Sequence, residues 1–483
     1  MRTVVAGWLG LVVVGLTAGG AVAQPERYEL GQRLKRFEQA WEEQKDPTAR
    51  KKALAIVKKA SGQFLSLQLG EAGRTLDDAR WALQGKTLSD TERWLESLYA
   101  VPERRALDYK AKVVSVEIRQ FYPVANRPAG ATATVRFEYT DAATAAPLDK
   151  LPARASLPIP KLSPGERIRP GPQADVSGFP HSFDTAIMAE FTAGGILVAP
   201  SPVAVCVFHD LAPRLNWRRF AAADIAKYGR TLEIATEQDL SEQLERAAAG
   251  EVPETDFRFM SVPASNAQPP GKYFDPSHPG DHHIAVPTGK EQVTSCRLLV
   301  PKGLATDKPI PLVVALHGAG GSENLFFEGY GNGHIVKECQ KRGWMLLAPR
   351  SGLIGAAPVA AIIDKLAERY PIDPKRIFLV GHSMGAGQAI ELAQQHPGKF
   401  AAVASLGGAG RVRKKEAFAD LPVFVGVGDQ DFALKGSRAL HKALTDAGAK
   451  RVTYKEYPDL EHLVIVREAL PDVFAAWDEI AKK

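Results

Sequence analysis

Three residues far apart in the chain have the types needed for nucleophilic attack on a carbonyl carbon: Ser383, His462 and one of two aspartates, Asp429 or Asp431. A serine hydroxyl is a poor nucleophile at neutral pH. It attacks when a base within hydrogen-bond reach takes its proton, and that base needs an acid to orient it. Ser383 stands in Gly381-His382-Ser383-Met384-Gly385, a G-x-S-x-G pentapeptide. The flanking glycines let the backbone turn sharply and keep side chains clear of the hydroxyl. His462 closes the run Pro458-Asp459-Leu460-Glu461-His462, and the two aspartates lie in Gly428-Asp429-Gln430-Asp431. One extra turn of loop carries Asp431 towards the histidine, which favours it over Asp429. A tetrahedral oxyanion also needs donors. The Met384 N–H, just after the serine, is one candidate. The Ala319 N–H, in His317-Gly318-Ala319-Gly320-Gly321, is the second. His317 is expected to brace that glycine loop by hydrogen bonds, not to act as the base.

The elements around these residues follow one pattern. Ile377–Val380 is an apolar run with the look of a buried strand, and Ala386–Gln395 is an alanine-rich stretch of helix formers. Strand, tight turn and helix are the setting that a serine at the tip of a turn requires. Further strands are expected at Leu312–Leu316, Met345–Ala348, Val403–Leu406, Val423–Val427 and Val452–Tyr457. Helices are expected near His334–Arg342, Val359–Arg369, Ser437–Ala447 and Val466–Ile480. Strands alternating with helices predict a parallel, helix-covered sheet. In such a sheet the chemistry gathers in loops at the carboxyl ends of strands. Leu312–Leu316 leads into the glycine loop, Val423–Val427 into the aspartates and Val452–Tyr457 into His462.

With those residues in view, residues 283 to 483 resemble the α/β-hydrolase superfamily. Within it they are similar to small secreted esterases: polyhydroxybutyrate-depolymerase-like and feruloyl-esterase-like enzymes and the phospholipase/carboxylesterase group. The likeness is carried by Leu316-His317-Gly318-Ala319-Gly320-Gly321, by Tyr370-Pro371-Ile372-Asp373-Pro374-Lys375-Arg376-Ile377, by Gly381–Gly385, by Gly428-x-x-Asp431 and by His462. The resemblance implies that Asp431 is the acid, and that the order Ser, Asp, His is that of the superfamily. It implies an ester-cleaving serine hydrolase that works through an acyl-enzyme, with neither cofactor nor metal. Glu461 departs from the pattern, standing where a glycine is common.

The rest of the chain bears no such resemblance. At 483 residues it is too long for one compact domain. Residues 1–23 read as a signal peptide. Arg2 is followed by a largely apolar Val4–Leu16 and by Ala21-Val22-Ala23 before Gln24. The expected location is therefore periplasmic or extracellular, with no transmembrane helix after cleavage. Residues 24–104 read as a helical bundle. Leu30, Leu34, Phe37 and Trp41 share a face, Asp46-Pro47 caps a second helix, and Ser89-x-x-Glu92 opens another as a capping box. Residues 105–212 read as an all-β, sandwich-like module, in which Val114, Val116 and Ile118, then Ala133, Val135 and Phe137, alternate with polar residues. Residues 213–282 read as a helical segment and linker, ahead of a catalytic domain at 283–483.

Composition excludes some classes. The net charge of +6 is spread along the chain without a basic block, so nucleic acid is not an expected partner. Cys206, Cys296 and Cys339 are too few and too widely spaced for a disulfide framework, and buried free thiols are expected. Asp281-His282-His283 is no metal site, because three adjacent side chains cannot all face one ion. The expected partner is a small-molecule or polymer ester. Phe326, Phe327 and Tyr330, among glycines after the oxyanion loop, are candidates to line an acyl or aryl pocket. By analogy of fold, the β module is a candidate for contact with a glycan or cell surface, with a plain spacer as the alternative. Two other readings compete: a serine peptidase of the same fold, and a surface-binding protein with a vestigial hydrolase domain.

Overall fold

The computed structural model describes residues 24–111, 113–139, 155–158, 173–175, 183–200, 202–215, 231–251, 273–289, 292–304, 308–352 and 355–482. The expected signal peptide, 1–23, lies outside them, as does most of the expected linker. The chain divides into two compact units. One comprises residues up to 223 together with 240–263, and the other comprises 224–239 together with 264–483.

The second unit is built on eight strands: β1 Gly280–Pro287, β2 Val293–Val300, β3 Ile310–Leu316, β4 Met345–Pro349, β5 Ile372–His382, β6 Ala402–Leu406, β7 Val423–Gly428 and β8 Val452–Tyr457. Their order across the sheet is β1-β2-β4-β3-β5-β6-β7-β8. β1 and β2 run antiparallel to their neighbours, and every pairing from β4 to β8 is parallel. The helices are α1 His334–Arg342, α2 Val359–Ala367, α3 Met384–Gln395, α4 Leu434–Asp446 and α5 Ile465–Ala481.

The sequence explains this sheet. Every residue of β3 is buried, as a continuous apolar run must be when both faces of a strand are covered. Adjacent residues on β5 serve opposite faces. Leu379 joins Leu312, Val314 and the α3 residues Ala389 and Ile390 in one core cluster. Phe378 instead stacks between Trp344 and Trp477 of α5, with ring centroids 5.1 and 4.9 Å away. β8 lies at the edge and alternates between half-buried and exposed residues, with Lys455 and Glu456 among them, which blunts it against further pairing.

This unit recruits residues that precede the expected boundary at 283. Leu232 and Phe274 enter its core. Glu233 pairs with Arg369 at 3.0 Å, and Thr236 Oγ accepts the Ala285 N–H at 2.9 Å. These residues open the helix Leu232–Ala248, whose remainder, from Leu240, counts with the first unit.

The first unit holds helices Gln24–Glu43, Pro47–Val57, Ala60–Leu65, Leu69–Leu83 and Asp90–Glu96, followed by two sheets. Asp46 caps the second helix through the N–H groups of Thr48 and Ala49, and Ser89 and Glu92 form a reciprocal capping box. A three-stranded sheet runs Leu98–Pro102, Val113–Gln120, Gln173–Asp175. The larger sheet runs Ala106–Asp108, Val203–Phe208, Phe183–Ala193, Thr132–Tyr139, Ala155–Pro158, with Ile196–Val198 paired to Phe183–Ala193. Val114, Val116 and Ile118 of the small sheet share one core with Ala133, Val135 and Phe137 of the large one.

Helices and sheets share a core through Trp94 and Leu95, and buried charged groups add further ties. Arg33 is fully buried and pairs with Asp77, which also accepts the Tyr122 hydroxyl at 2.9 Å. Arg36 and Arg80 meet Glu96 at 3.0 and 2.6 Å. The helix face anticipated from Leu30, Leu34, Phe37 and Trp41 is therefore rotated in part. Leu34 is half-buried, while Arg33 and Glu38 point inward. All three cysteines are buried free thiols.

Candidate active site

Because β3, β5, β7 and β8 are parallel, their carboxyl ends lie on the same edge of the sheet, and the residues singled out by their chemistry all follow those ends. Ser383 comes directly after β5 and directly before α3. Its backbone takes φ 56° and ψ −116°, and its N–H donates to the Leu406 carbonyl at the end of β6, at 3.0 Å. Both glycines of the pentapeptide are required by close approach of backbone. A Cβ on Gly381 would lie 2.0 Å from the Gly385 oxygen, and one on Gly385 would lie 2.1 Å from the Leu316 oxygen. No side chain fits either place. Ser383 is half-buried.

His462 and Asp431 form a buried pair, with His462 Nδ1 2.8 Å from Asp431 Oδ1. The same Asp431 oxygen accepts the Ala433 N–H at 2.7 Å. Gly407 makes room for the pair. Its φ is +52°, and a Cβ there would lie 2.8 Å from Asp431 Oδ2 and 3.3 Å from His462 Nδ1. Asp429 takes no part in this contact; its N–H is bound to the Tyr457 carbonyl at 3.0 Å. Phe432, 58% exposed, lies against the His462 ring, with centroids 4.1 Å apart.

The two candidate oxyanion donors differ in origin. Met384 is the first residue of α3, so its N–H belongs to the helix-terminal groups that have no intrahelical acceptor. Ala319 follows Gly318, whose Cβ position would lie 3.3 Å from Ser383 Cβ, so this loop runs against the serine. Among the described residues the Ala319 N–H meets no acceptor. His317 is buried. Its Nε2 accepts the Ser351 N–H at 3.0 Å, so the proton sits on Nδ1 and is donated to the Gly318 carbonyl at 2.8 Å.

Phe326, Phe327 and Tyr330 do not form an open pocket wall. They are 1%, 6% and 3% exposed. Phe326 meets Tyr330 edge to face, and Phe327 lies under the Arg297 guanidinium. The short Leu325–Gly329 helical turn folds them inward, and the spacing of aromatic residues among glycines could not reveal that direction. Among the described residues, open space lies beside α3. A groove of about 710 Å³ between α2 and α3 is lined by Ala356, Pro358, Met384, Gln388, Glu391 and His396 among others. That size is in the range of small-molecule sites.

The contacts of two residues were not legible in the sequence. His382 is buried and touches both Tyr330 and His462. It was visible only as the variable position of the pentapeptide. Glu461 is 2% exposed. Its Oε1 accepts the N–H groups of Leu463 and Val464, both at 2.9 Å, at the entrance to α5. Burial pushes its carboxyl up to about 7. Its only signal was its departure from glycine. Among the described residues no cluster of His, Cys, Asp and Glu is arranged to hold a metal ion, and no helix is long and apolar enough to cross a membrane.

Residues 311–436 match the family model described as alpha/beta hydrolase fold. The protein NocK of Nocardia uniformis subsp. tsuyamanensis is 31% identical over 113 residues, 20% of this chain and 33% of that protein. The bifunctional acetylxylan esterase/xylanase XynS20E of Neocallimastix patriciarum is 29% identical over 144 residues, 28% of this chain and 21% of that protein. The chain thus spans well under two thirds of either relative. Among solved structures, a thermostable esterase is matched at 18% identity over 79% of this chain and 99% of that one, with a TM-score of 0.38. A ferulic acid esterase is matched at 16% identity over 42% and 98%, with a TM-score of 0.37.

Proposed function

Residues 311–436 carry an alpha/beta hydrolase fold, and from that premise we propose that the chain is an exported serine hydrolase that cleaves carboxylic esters through an acyl-enzyme. The observation that carries this reading is the buried His462–Asp431 pair at 2.8 Å, on the same sheet edge as a serine held at the tip of a strand–turn–helix. Asp431 holds His462 with Nδ1 protonated, which leaves Nε2 free to act as the base. His462 takes the Ser383 proton as the oxygen attacks the ester carbonyl. The oxyanion forms against the N–H groups of Met384 and Ala319. His462 then returns the proton to the departing alcohol, and water repeats the sequence on the acyl-serine.

Ester is preferred to peptide as the substrate because the relative XynS20E is an acetylxylan esterase by name. The longer arm of the substrate is placed along the groove beside α3. From Met384 to Gln395 that groove follows the helix for roughly 16 Å. Phe432, exposed over His462, would cover the reacting carbonyl from the other side. Export rests on the leader-like composition of residues 1–23.

The test is labelling by a fluorophosphonate probe together with turnover of a panel of esters of increasing acyl and alcohol length. Wild type should be labelled and active, and Ser383→Ala should show neither. Folded wild type that takes no label would sink the proposal.

A further inference from the structure

His382 is 2% exposed, and neither of its ring nitrogens faces water. Nε2 lies 2.9 Å from the carbonyl oxygen of His462. A carbonyl only accepts, so Nε2 carries the proton. Burial, and then the neighbouring His462, hold this ring well below the usual imidazole range, so it is neutral and Nδ1 is bare. Nδ1 lies 2.7 Å from the Tyr330 hydroxyl, which must therefore be the donor. The hydroxyl oxygen in turn accepts the Gly318 N–H at 3.3 Å. Each link fixes the next. Gly318 N–H donates to Tyr330, Tyr330 O–H donates to His382, and His382 N–H donates to the backbone of His462.

This chain joins three places: the loop after β3, the end of β5 and the loop after β8. Separate contacts orient the donor peptide itself. Gly318 is held at its N–H by Tyr330 and at its carbonyl by His317 Nδ1 and the Gly321 N–H, at 2.8 and 3.1 Å. In a trans peptide the N–H points opposite to the carbonyl. Pinning the Gly318 carbonyl therefore aims the Ala319 N–H the other way.

We propose that Tyr330 and His382 are positioning residues of the reaction: one directed chain of hydrogen bonds that sets the spacing between the Gly318–Ala319 donor loop and the base-bearing loop, across Ser383. The proposal rests on the serine hydrolase reading. Neither residue moves a proton during turnover. His382 has both nitrogens engaged and cannot substitute for His462 as the base.

Tyr330→Phe removes the hydroxyl alone and keeps the ring packed against Phe326 and His382. Turnover of an activated ester is expected to fall about tenfold in kcat with KM changed less than about twofold, the split that marks loss of an interaction made in the transition state. Fluorophosphonate labelling should slow in the same proportion, while the melting temperature falls by a few degrees, because Gly318 N–H and His382 Nδ1 lose their shared partner. His382→Phe should lose at least as much. The double variant should be no slower than His382→Phe alone, because one chain is broken only once. Should His382→Phe not fold, Tyr330→Phe against wild type decides. Wild-type kcat in Tyr330→Phe, or losses that multiply in the double variant, would overturn the proposal. Unlabelled wild type is the separate outcome that removes the serine hydrolase reading, and this proposal with it.

Discussion

Asp431 holds His462 through a single oxygen, which it also uses to accept the Ala433 N–H. The carboxylate is thus anchored to its own loop by the atom that orients the imidazole, and its other oxygen has no hydrogen-bond partner among the described residues. In Asp431→Asn an amide replaces a group that must accept from two donors at once. Ester turnover is expected to fall by about 10³–10⁴ in kcat, because the imidazole loses the tautomer and the charge support it needs. Asp429→Asn, two positions earlier and outside the contact, should stay within a few-fold of wild type. Steady-state kinetics of both variants on one ester checks the assignment. A larger loss in Asp429→Asn would reverse it.

Gly407 tests the same pair from the opposite side. A methyl at this position would press on Asp431, on Ile465 and on His462. Gly407→Ala should therefore lose at least about tenfold in kcat, in addition to the ~1 kcal/mol or more of stability that a positive φ costs. Gly398→Ala is the control. Its φ is +80°, and nothing lies within 4 Å of the added carbon, so stability should fall without loss of activity. The comparison needs a melting curve and a rate for each variant. Equal rates in the two would refute the crowding argument.

Glu461 makes stability depend on pH in a direction unusual for a carboxylate. Burial raises its pKa to about 7, against 4.5 for the free side chain. Between these values the folded chain keeps a proton that the unfolded chain has released. The proton-linked stability is full below pH 4.5 and is lost as pH rises through about 7. Glu461→Gln keeps an acceptor for Leu463 and Val464 and has no charge to bury. Its advantage over wild type should be near zero at acid pH and should grow to about 3 kcal/mol above neutrality. Denaturant unfolding at acid and alkaline pH measures it. An advantage independent of pH would rule the account out.

The strand ends that carry Ser383, Asp431 and His462 were legible because the signal is local. Ser383 and Asp431 follow short apolar runs and His462 follows a strand of period two, and such runs between helices make a parallel sheet. The alternation of Val114, Val116 and Ile118 was legible for the same reason, since a period of two needs only neighbours. What escaped depends on distant partners. Arg33 sits on a helix face that looked apolar, and its burial is explained by Asp77 and the Glu96 carbonyl, 44 and 63 positions away. Tyr330 looked like a pocket wall because its ring was visible in the sequence, whereas the acceptor for its hydroxyl lies 52 positions away. Gly407 carries no motif, and its necessity arises only when β6 ends beside the Asp431–His462 pair.

Ser383 occupies a backbone conformation that side chains rarely adopt, with φ 56° and ψ −116°. Such a residue costs the fold on the order of 1–3 kcal/mol, and a glycine would relieve most of it. The most stable sequence for this backbone is therefore not the one with a hydroxyl at the turn. Any selection for thermal hardiness that ignores turnover would drift towards replacing the residue at 383, so robustness and reactivity pull this single position in opposite directions.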